Sequence, residues 1–166
     1  MDSKILIKKV SHDDADLNDL FDELDKELAK LYPEEAIFGG GVIFGLDVKK
    51  KLKNAEKFYF IIAYVSGQAV GCGCIKPLSK YGCELKRMFV KEGFRKKGIA
   101  AEIFKRLESE ARKRGFRKIL LETGPRQPEA IALYEKLGFK ERGIFGKYKL
   151  IDELAHLSVF FEKEIV

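Results

Sequence analysis

The chain has 166 residues, of which 46% are hydrophobic and 35% charged, and a formal net charge of +6. This length and composition fit one globular domain over residues 1–166 and exclude a fibrous or disordered chain. No apolar run approaches the ~18 residues of a membrane span.

From the start of the chain, Lys4 to Val10 alternates and reads as a strand. Residues 1–4 run straight into it with no apolar core of a signal peptide, so no export is expected. Ser11 or Asp13 is positioned to cap the helix that follows. Leu17, Leu20, Phe21, Leu24, Leu28 and Leu31 form its apolar stripe, opposite many acids, and Pro33 ends or restarts it. Residues 33–53 have no clear period; Phe38 to Gly45 mixes glycines with apolar residues and reads either as a lid or acceptor-site loop or as a connector. Phe58 to Val65 is rich in β-formers, Ser66-Gly67 suits a two-residue hairpin turn, and Gln68 to Ile75 returns. Glycines within that return strand signal a bulge or close packing. A turn over 77–82 leads to a strand over Cys83–Val90.

Next comes Lys91-Glu-Gly-Phe-Arg-Lys-Lys-Gly98, and then apolar positions Ile99, Ala100, Ile103, Phe104, Leu107 and Ala111 at helical spacing. Gly115 suits the end of that helix. Lys118 to Thr123 is a short strand, Gly124-Pro125 breaks it, and Pro128 suits the first turn of a helix running to Leu137, with Gly138 past its end. Ser158 to Phe161 reads as a last strand; 143–157 is not readable. Short turns make the three middle strands antiparallel neighbours, and the crossover through the long helix makes the next connection parallel. The expected fold is α/β (α+β): a mixed, mostly antiparallel sheet of about six or seven strands, helices on both faces, and a crevice where its antiparallel and parallel parts meet.

Charge is unevenly spread. Residues 1–36 hold five basic and eleven acidic side chains, whereas 86–118 hold thirteen basic and four acidic ones. A basic middle suits a polyanion, either nucleic acid or a phosphorylated small molecule. Nucleic acid is the weaker option, because interleaved aromatics and any recognition motif are missing. Arg95, Lys96 and Lys97 stand out because they precede a helix N-terminus, where free N–H groups and the dipole favour an anion. Gly98 would let a phosphate approach the backbone. Gly93 and Gly98 have P-loop spacing, but Ile99-Ala100 replaces the required Lys-Ser/Thr. Gly71-Cys72-Gly73 has no third glycine, so a dinucleotide fingerprint fails as well. Cys72, Cys74 and Cys83, with His12 and His156, show no metal-ligand spacing; reduced thiols in the cytoplasm and no metal are expected.

What remains is Arg95-x-x-Gly98-x-Ala100. It resembles the acyl-CoA pyrophosphate loop of the GNAT superfamily of N-acetyltransferases. Glu84 to Val90 resembles the strand before that loop. Leu121-Glu-Thr-Gly124 and Ala130-x-x-Leu133-Tyr134-x-x-Leu137-Gly138-Phe139 resemble the later strand and helix. Glu84 to Phe139 is thus covered densely, while the N-terminal third matches only in its order of elements. The resemblance implies acetyl-CoA as co-substrate and a tyrosine, here Tyr134, that protonates the leaving thiolate. Gln127 stands where the family often has asparagine, and Ala100 where a second glycine is commoner.

Acetyl transfer to an amine needs an anchored CoA, a neutral amine, a polarised carbonyl and a protonated leaving group. Backbone N–H groups of Lys97, Gly98, Ile99 and Ala100 can hold the diphosphate, helped by Arg95 and Lys96. Met88, Phe89 and Val90 can pair with the pantetheine arm like an added strand, and one N–H there can polarise the carbonyl. Gln127 retains an amide for a cofactor or backbone hydrogen bond. Glu84 is the candidate base, with Glu122 as its rival and an ion pair with Lys86 or Arg87 as its other reading. Tyr134 has a core-aromatic alternative. The acidic first helix and Glu34-Glu35 suggest a cationic acceptor amine, small molecule or peptide. A non-catalytic CoA-binding module on the same fold is the competing class, and a homodimer stays open.

Overall fold

A computed structural model describes residues 3–33, 55–146 and 158–166. The glycine-containing segment 38–45 and the stretch 147–157 lie outside the described residues.

Strand β1 covers Ile5–Val10 and helix α1 covers Ala15–Leu31. The cap of α1 is Asp14, whose carboxylate accepts the Leu17 N–H at 3.1 Å. Ser11 and Asp13 do not fill that place; the Ser11 hydroxyl instead hydrogen-bonds the Asp13 carboxylate and lowers its pKa. Leu17, Leu20, Phe21 and Leu24 are buried against Phe60, Ile62, Cys72, Cys74 and Phe89. Each such side chain contributes about 1.5–3 kcal/mol on burial, which holds an otherwise acidic helix on the sheet.

Strands β2 (Tyr59–Val65) and β3 (Gln68–Pro77) form the expected hairpin. Ser66 and Gly67 have φ of 50° and 78°, the left-handed pair of a turn whose twist matches the strands. Strand β4 covers Gly82–Val90, a 3-10 turn follows at Glu92–Phe94, and helix α2 covers Ile99–Lys113. Strand β5 (Lys118–Thr123), helix α3 (Pro128–Lys136), strand β6 (Lys140–Arg142) and strand β7 (Val159–Glu164) complete the described elements. The seven strands lie in the order β1-β2-β3-β4-β5-β7-β6. Only β4 and β5 run parallel; the other neighbours are antiparallel. Strand β6 escaped the pattern because Lys140-Glu-Arg142 has no apolar alternation; pairing with β7 supplies its structure.

Helix α2 buries Ile99, Ile103, Phe104, Leu107 and Ala111 against the face opposite α1, in the same cluster as Tyr134 and Phe139. The glycines of β3 do both jobs expected of them. A Cβ at Gly71 would lie 2.9 Å from the Phe89 carbonyl oxygen and 3.1 Å from Ile103, so α2 rests almost on the backbone. Gly71→Ala is expected to cost about 1–3 kcal/mol by overpacking. Gly143→Ala, which meets no atom within 4 Å, should change stability by less than about 0.5 kcal/mol. Denaturant midpoints of the two variants check this.

Two irregularities position the site. The β3–β4 register passes from Cys72 opposite Phe89 to Cys74 opposite Lys86, so Arg87 and Met88 together face Gly73. Arg87 accordingly sits at φ 59°, a left-handed bulge residue. Pairing of β4 with β5 stops at Glu84 and Leu120. Beyond that point the strands part, and a cleft opens between them, at the junction of the antiparallel and parallel parts.

Candidate active site

The cleft has two lips. Glu84, Leu85, Lys86, Arg87 and Met88 of β4 form one; Glu122, Thr123 and Gly124 at the end of β5, with Gln127 and Tyr134 of the following helix, form the other. Leu24, Leu28 and Tyr32 of α1 close one side. The space is about 660 Å3, part of it open to solvent.

Glu84, Glu122 and Tyr134 therefore face one cavity although they are far apart in sequence. Glu84 is 2% exposed, because it lies at the last paired position of β4, under both lips. Its Oε1 forms a buried ion pair with the Lys86 ammonium at 3.8 Å, so the ion-pair reading with Lys86 holds for this residue alongside its place in the cleft. Glu122 is half-buried and accepts the Ser158 hydroxyl at 2.8 Å. Tyr134 is 8% exposed and meets Phe139 edge-on, with ring centres 5.7 Å apart. Burial first, and then the Glu122 carboxylate, push its phenol above the ordinary value of 10.0. Both act by disfavouring the phenolate. The core-aromatic and cleft-lining readings of Tyr134 thus both hold: it packs on Phe139 and lines the cavity.

The loop before α2 is open. Lys96, Lys97 and Gly98 are exposed, and Lys96 and Gly98 have φ of 62° and 79°. Gly98 has nothing within 4 Å of a would-be Cβ. It occupies the cap position of α2 and brings no side chain to it, so the first-turn N–H groups of Ile99 and Ala100 have neither an intrahelical acceptor nor a side-chain cap. Arg95 points elsewhere. Its Nε donates to the Val90 carbonyl at 2.8 Å, and one terminal nitrogen donates to both carboxylate oxygens of Glu27, each at 2.8 Å. It also lies 5.7 Å from the centre of the Phe89 ring. In this arrangement Arg95 tethers the loop to β4 and α1, and Lys96 and Lys97 are the loop's outward cations. Phe89 and Val90 are buried, whereas Met88 reaches the cleft.

The acids of α1 serve the same tethering. Glu23 pairs with Lys91 at 3.3 Å, Asp25 with Arg87 at 2.7 Å and Glu27 with Arg95 at 2.8 Å. Arg87 also stacks on Phe21, 4.5 Å from its centre. What α1 turns to the cleft is the stripe Leu24, Leu28 and Tyr32. Glu34 and Glu35 lie outside the described residues.

Sequence reasoning missed Tyr32. The signal was its place in that stripe, at positions i, i+4 and i+8, just before Pro33. It is 2% exposed, and its hydroxyl accepts the backbone N–H of Arg126 at 2.9 Å. Gln127 has a local task too: its Oε1 accepts from the Gly124 N–H at 3.2 Å and the Thr123 hydroxyl at 3.5 Å, knitting the turn between β5 and α3. Cys83 is buried, and burial pushes its thiol up to about 12, so it is inert as a nucleophile. Among the described residues no group of three or more His, Cys, Asp or Glu side chains could hold a metal, and no described helix is long and apolar enough to cross a membrane.

The model of the acetyltransferase (GNAT) family matches residues 17–139. An IAA acetyltransferase of Azospirillum brasilense is 40% identical over 147 residues, 88% of each chain. Among solved structures, a Klebsiella pneumoniae protein assigned as an acyl-CoA N-acyltransferase is 26% identical, with a TM-score of 0.78 over 98% of both chains. The PaiA N-acetyltransferase of Thermoplasma acidophilum, solved with coenzyme A, has a TM-score of 0.71 at 19% identity over 97% of this chain and 99% of that one; it shares the fold.

Proposed function

The chain belongs to the acetyltransferase (GNAT) family and is an acyltransferase; from that premise we propose that it moves an acetyl group from acetyl-CoA to a primary amine by direct attack on the thioester, with residues 1–166 acting as one catalytic unit. One observation carries this reading: a buried carboxylate and a buried phenol share a cleft that opens beside the bulge of β4. The three cysteines are buried and in no disulfide, which fits a reducing, cytoplasmic setting.

Each part has a task. The uncapped N-terminus of α2, from Lys97 to Ala100, receives the diphosphate, with Lys96 and Lys97 adding charge. Arg95 serves by holding the loop in place. Met88, Phe89 and Val90 run beside the pantetheine arm, and a backbone N–H at the bulge polarises the thioester carbonyl. Gln127 keeps the far lip in shape. Glu84 removes a proton from the ammonium, directly or through water. The amine nitrogen then bonds to the carbonyl carbon, the C–S bond breaks, and the thiolate takes the Tyr134 proton. The phenolate is reprotonated by the proton released from the amine. A phenol held above 10 is a weak acid against a free thiol of about 8.5. The transfer works because the thiolate departs beside the same buried phenol and is disfavoured by the same desolvation.

Direct transfer predicts coenzyme A release that depends on an added amine and yields the N-acetyl product in equal amount. A mass-resolved thiol-release assay over cationic, neutral and anionic primary amines tests it. Acetyl-CoA binding without product from any of them would favour the non-catalytic CoA-binding module. The nucleic-acid reading is weaker still, because Arg87, Lys91, Arg95, Arg112, Arg114 and Lys118 of the basic stretch are each committed to a carboxylate of this chain.

A further inference from the structure

We infer that Tyr32 is a positioning residue for the transfer, a clasp that fixes the width of the cleft between α1 and the lip carrying Glu122 and Tyr134. The role rests on the acetyl-transfer reading; the clasp rests on geometry alone.

The clasp has four interlocking contacts. The Tyr32 hydroxyl accepts the Arg126 backbone N–H at 2.9 Å, across 94 residues of sequence. The Arg126 guanidinium lies over the same ring, 5.0 Å from its centre, and donates to the Leu31 carbonyl at 2.7 Å. The ring itself fills space that only glycine leaves: a Cβ on Gly124 would lie 1.8 Å from the Tyr32 hydroxyl oxygen and 2.4 Å from Cζ. The last residues of α1 are thereby bolted to residues 124–126.

Position gives these contacts their consequence. Hydrogen bonding between β4 and β5 ends at Glu84 and Leu120, so further up the cleft the sheet does not hold its lips together. Helix α1 is fixed to the β4 side by Asp25 and Glu27. The Tyr32–Arg126 contact carries that attachment across to the other lip. There Gly124 is tied to Gln127, and α3 with Tyr134 begins at the next residue. Both Tyr32 and Gly124 line the cavity, so a change in the clasp alters where an acceptor sits relative to the phenol. The pyrophosphate loop lies elsewhere, at the end of β4.

The test is Tyr32→Phe, which keeps the ring and removes the hydroxyl that accepts the Arg126 N–H. The KM for the acceptor amine should rise roughly three- to tenfold, the span of one hydrogen bond. The KM for acetyl-CoA and the calorimetric affinity for CoA should stay unchanged, and amide exchange over residues 122–127 should quicken while that of α2 does not. Gly124→Ala, which drives the ring out, should reproduce the split with a larger rise. Equal losses for both substrates would make Tyr32 merely structural and overturn the proposal, as would unchanged kinetics with unchanged exchange. If the unaltered protein acetylates no amine, the transferase reading fails by itself; exchange in Tyr32→Phe then decides the clasp, with unchanged rates over 122–127 refuting it.

Discussion

Tyr134→Phe is expected to lower kcat by about a hundredfold or more, within the range for losing a general acid or base, with CoA affinity retained. Phenylalanine fills the same space against Phe139, so the core loses only a hydroxyl. The thiolate would then have to leave without a proton or draw one from water. Calorimetry with CoA alongside steady-state rates separates the two effects. A variant with undiminished kcat would show that the phenol is a packing residue. The pH dependence supplies a second check. Because burial and the Glu122 carboxylate hold the phenol above 10.0, Tyr134 stays protonated, and no loss of activity traceable to it should occur below a pH of about 10.

Glu84→Gln is expected to reduce kcat about a hundredfold near neutral pH, again on the scale of a lost general base. The amide keeps the shape and cannot take a proton. Glu122→Gln should differ in kind. It removes a negative charge beside Tyr134, which stabilises the phenolate relative to the native protein and lowers the phenol pKa. The sign follows from the cause: a carboxylate raises a neighbouring acid, so its loss leaves burial as the remaining contribution. The basic limb should then move to lower pH while kcat near neutrality changes by only a few fold on the same scale. If instead Glu122→Gln costs the hundredfold in kcat and Glu84→Gln only a few fold, the assignment of the base is reversed. Measured kcat profiles of both variants, at saturating acetyl-CoA, decide between them.

The elements with a strong period were legible in the residues alone. Apolar stripes define α1 and α2, the Ser66-Gly67 turn defines the β2–β3 hairpin, and Gly98 before an apolar helical face marks the loop ahead of α2. These are local signals, set by backbone conformational freedom and by which face must leave water. The β4–α2–β5 connection was expected as a parallel crossover, and β4 and β5 do pair in parallel. Glu84 and Tyr134 were legible as chemistry-bearing residue types, and their convergence followed from that topology.

What needed the tertiary structure was the fate of each charge and the geometry between lips. The acids of α1 look free in the sequence, yet Glu23, Asp25 and Glu27 meet Lys91, Arg87 and Arg95, which lie more than sixty residues away. Such pairs depend on the height and rotation of a helix over a sheet, and no local pattern encodes them. Arg95 likewise reads as a phosphate ligand by position and becomes a tether by packing. The bulge at Arg87 is invisible locally because that residue does not favour a left-handed backbone; the mismatch between β3 and β4 imposes it. Tyr32 and Gly124 become a pair only once the end of α1 is laid across the mouth of a splayed sheet. Residue type and period therefore determined the parts, and only three-dimensional packing decided which partner each polar group has and how wide the cleft stands.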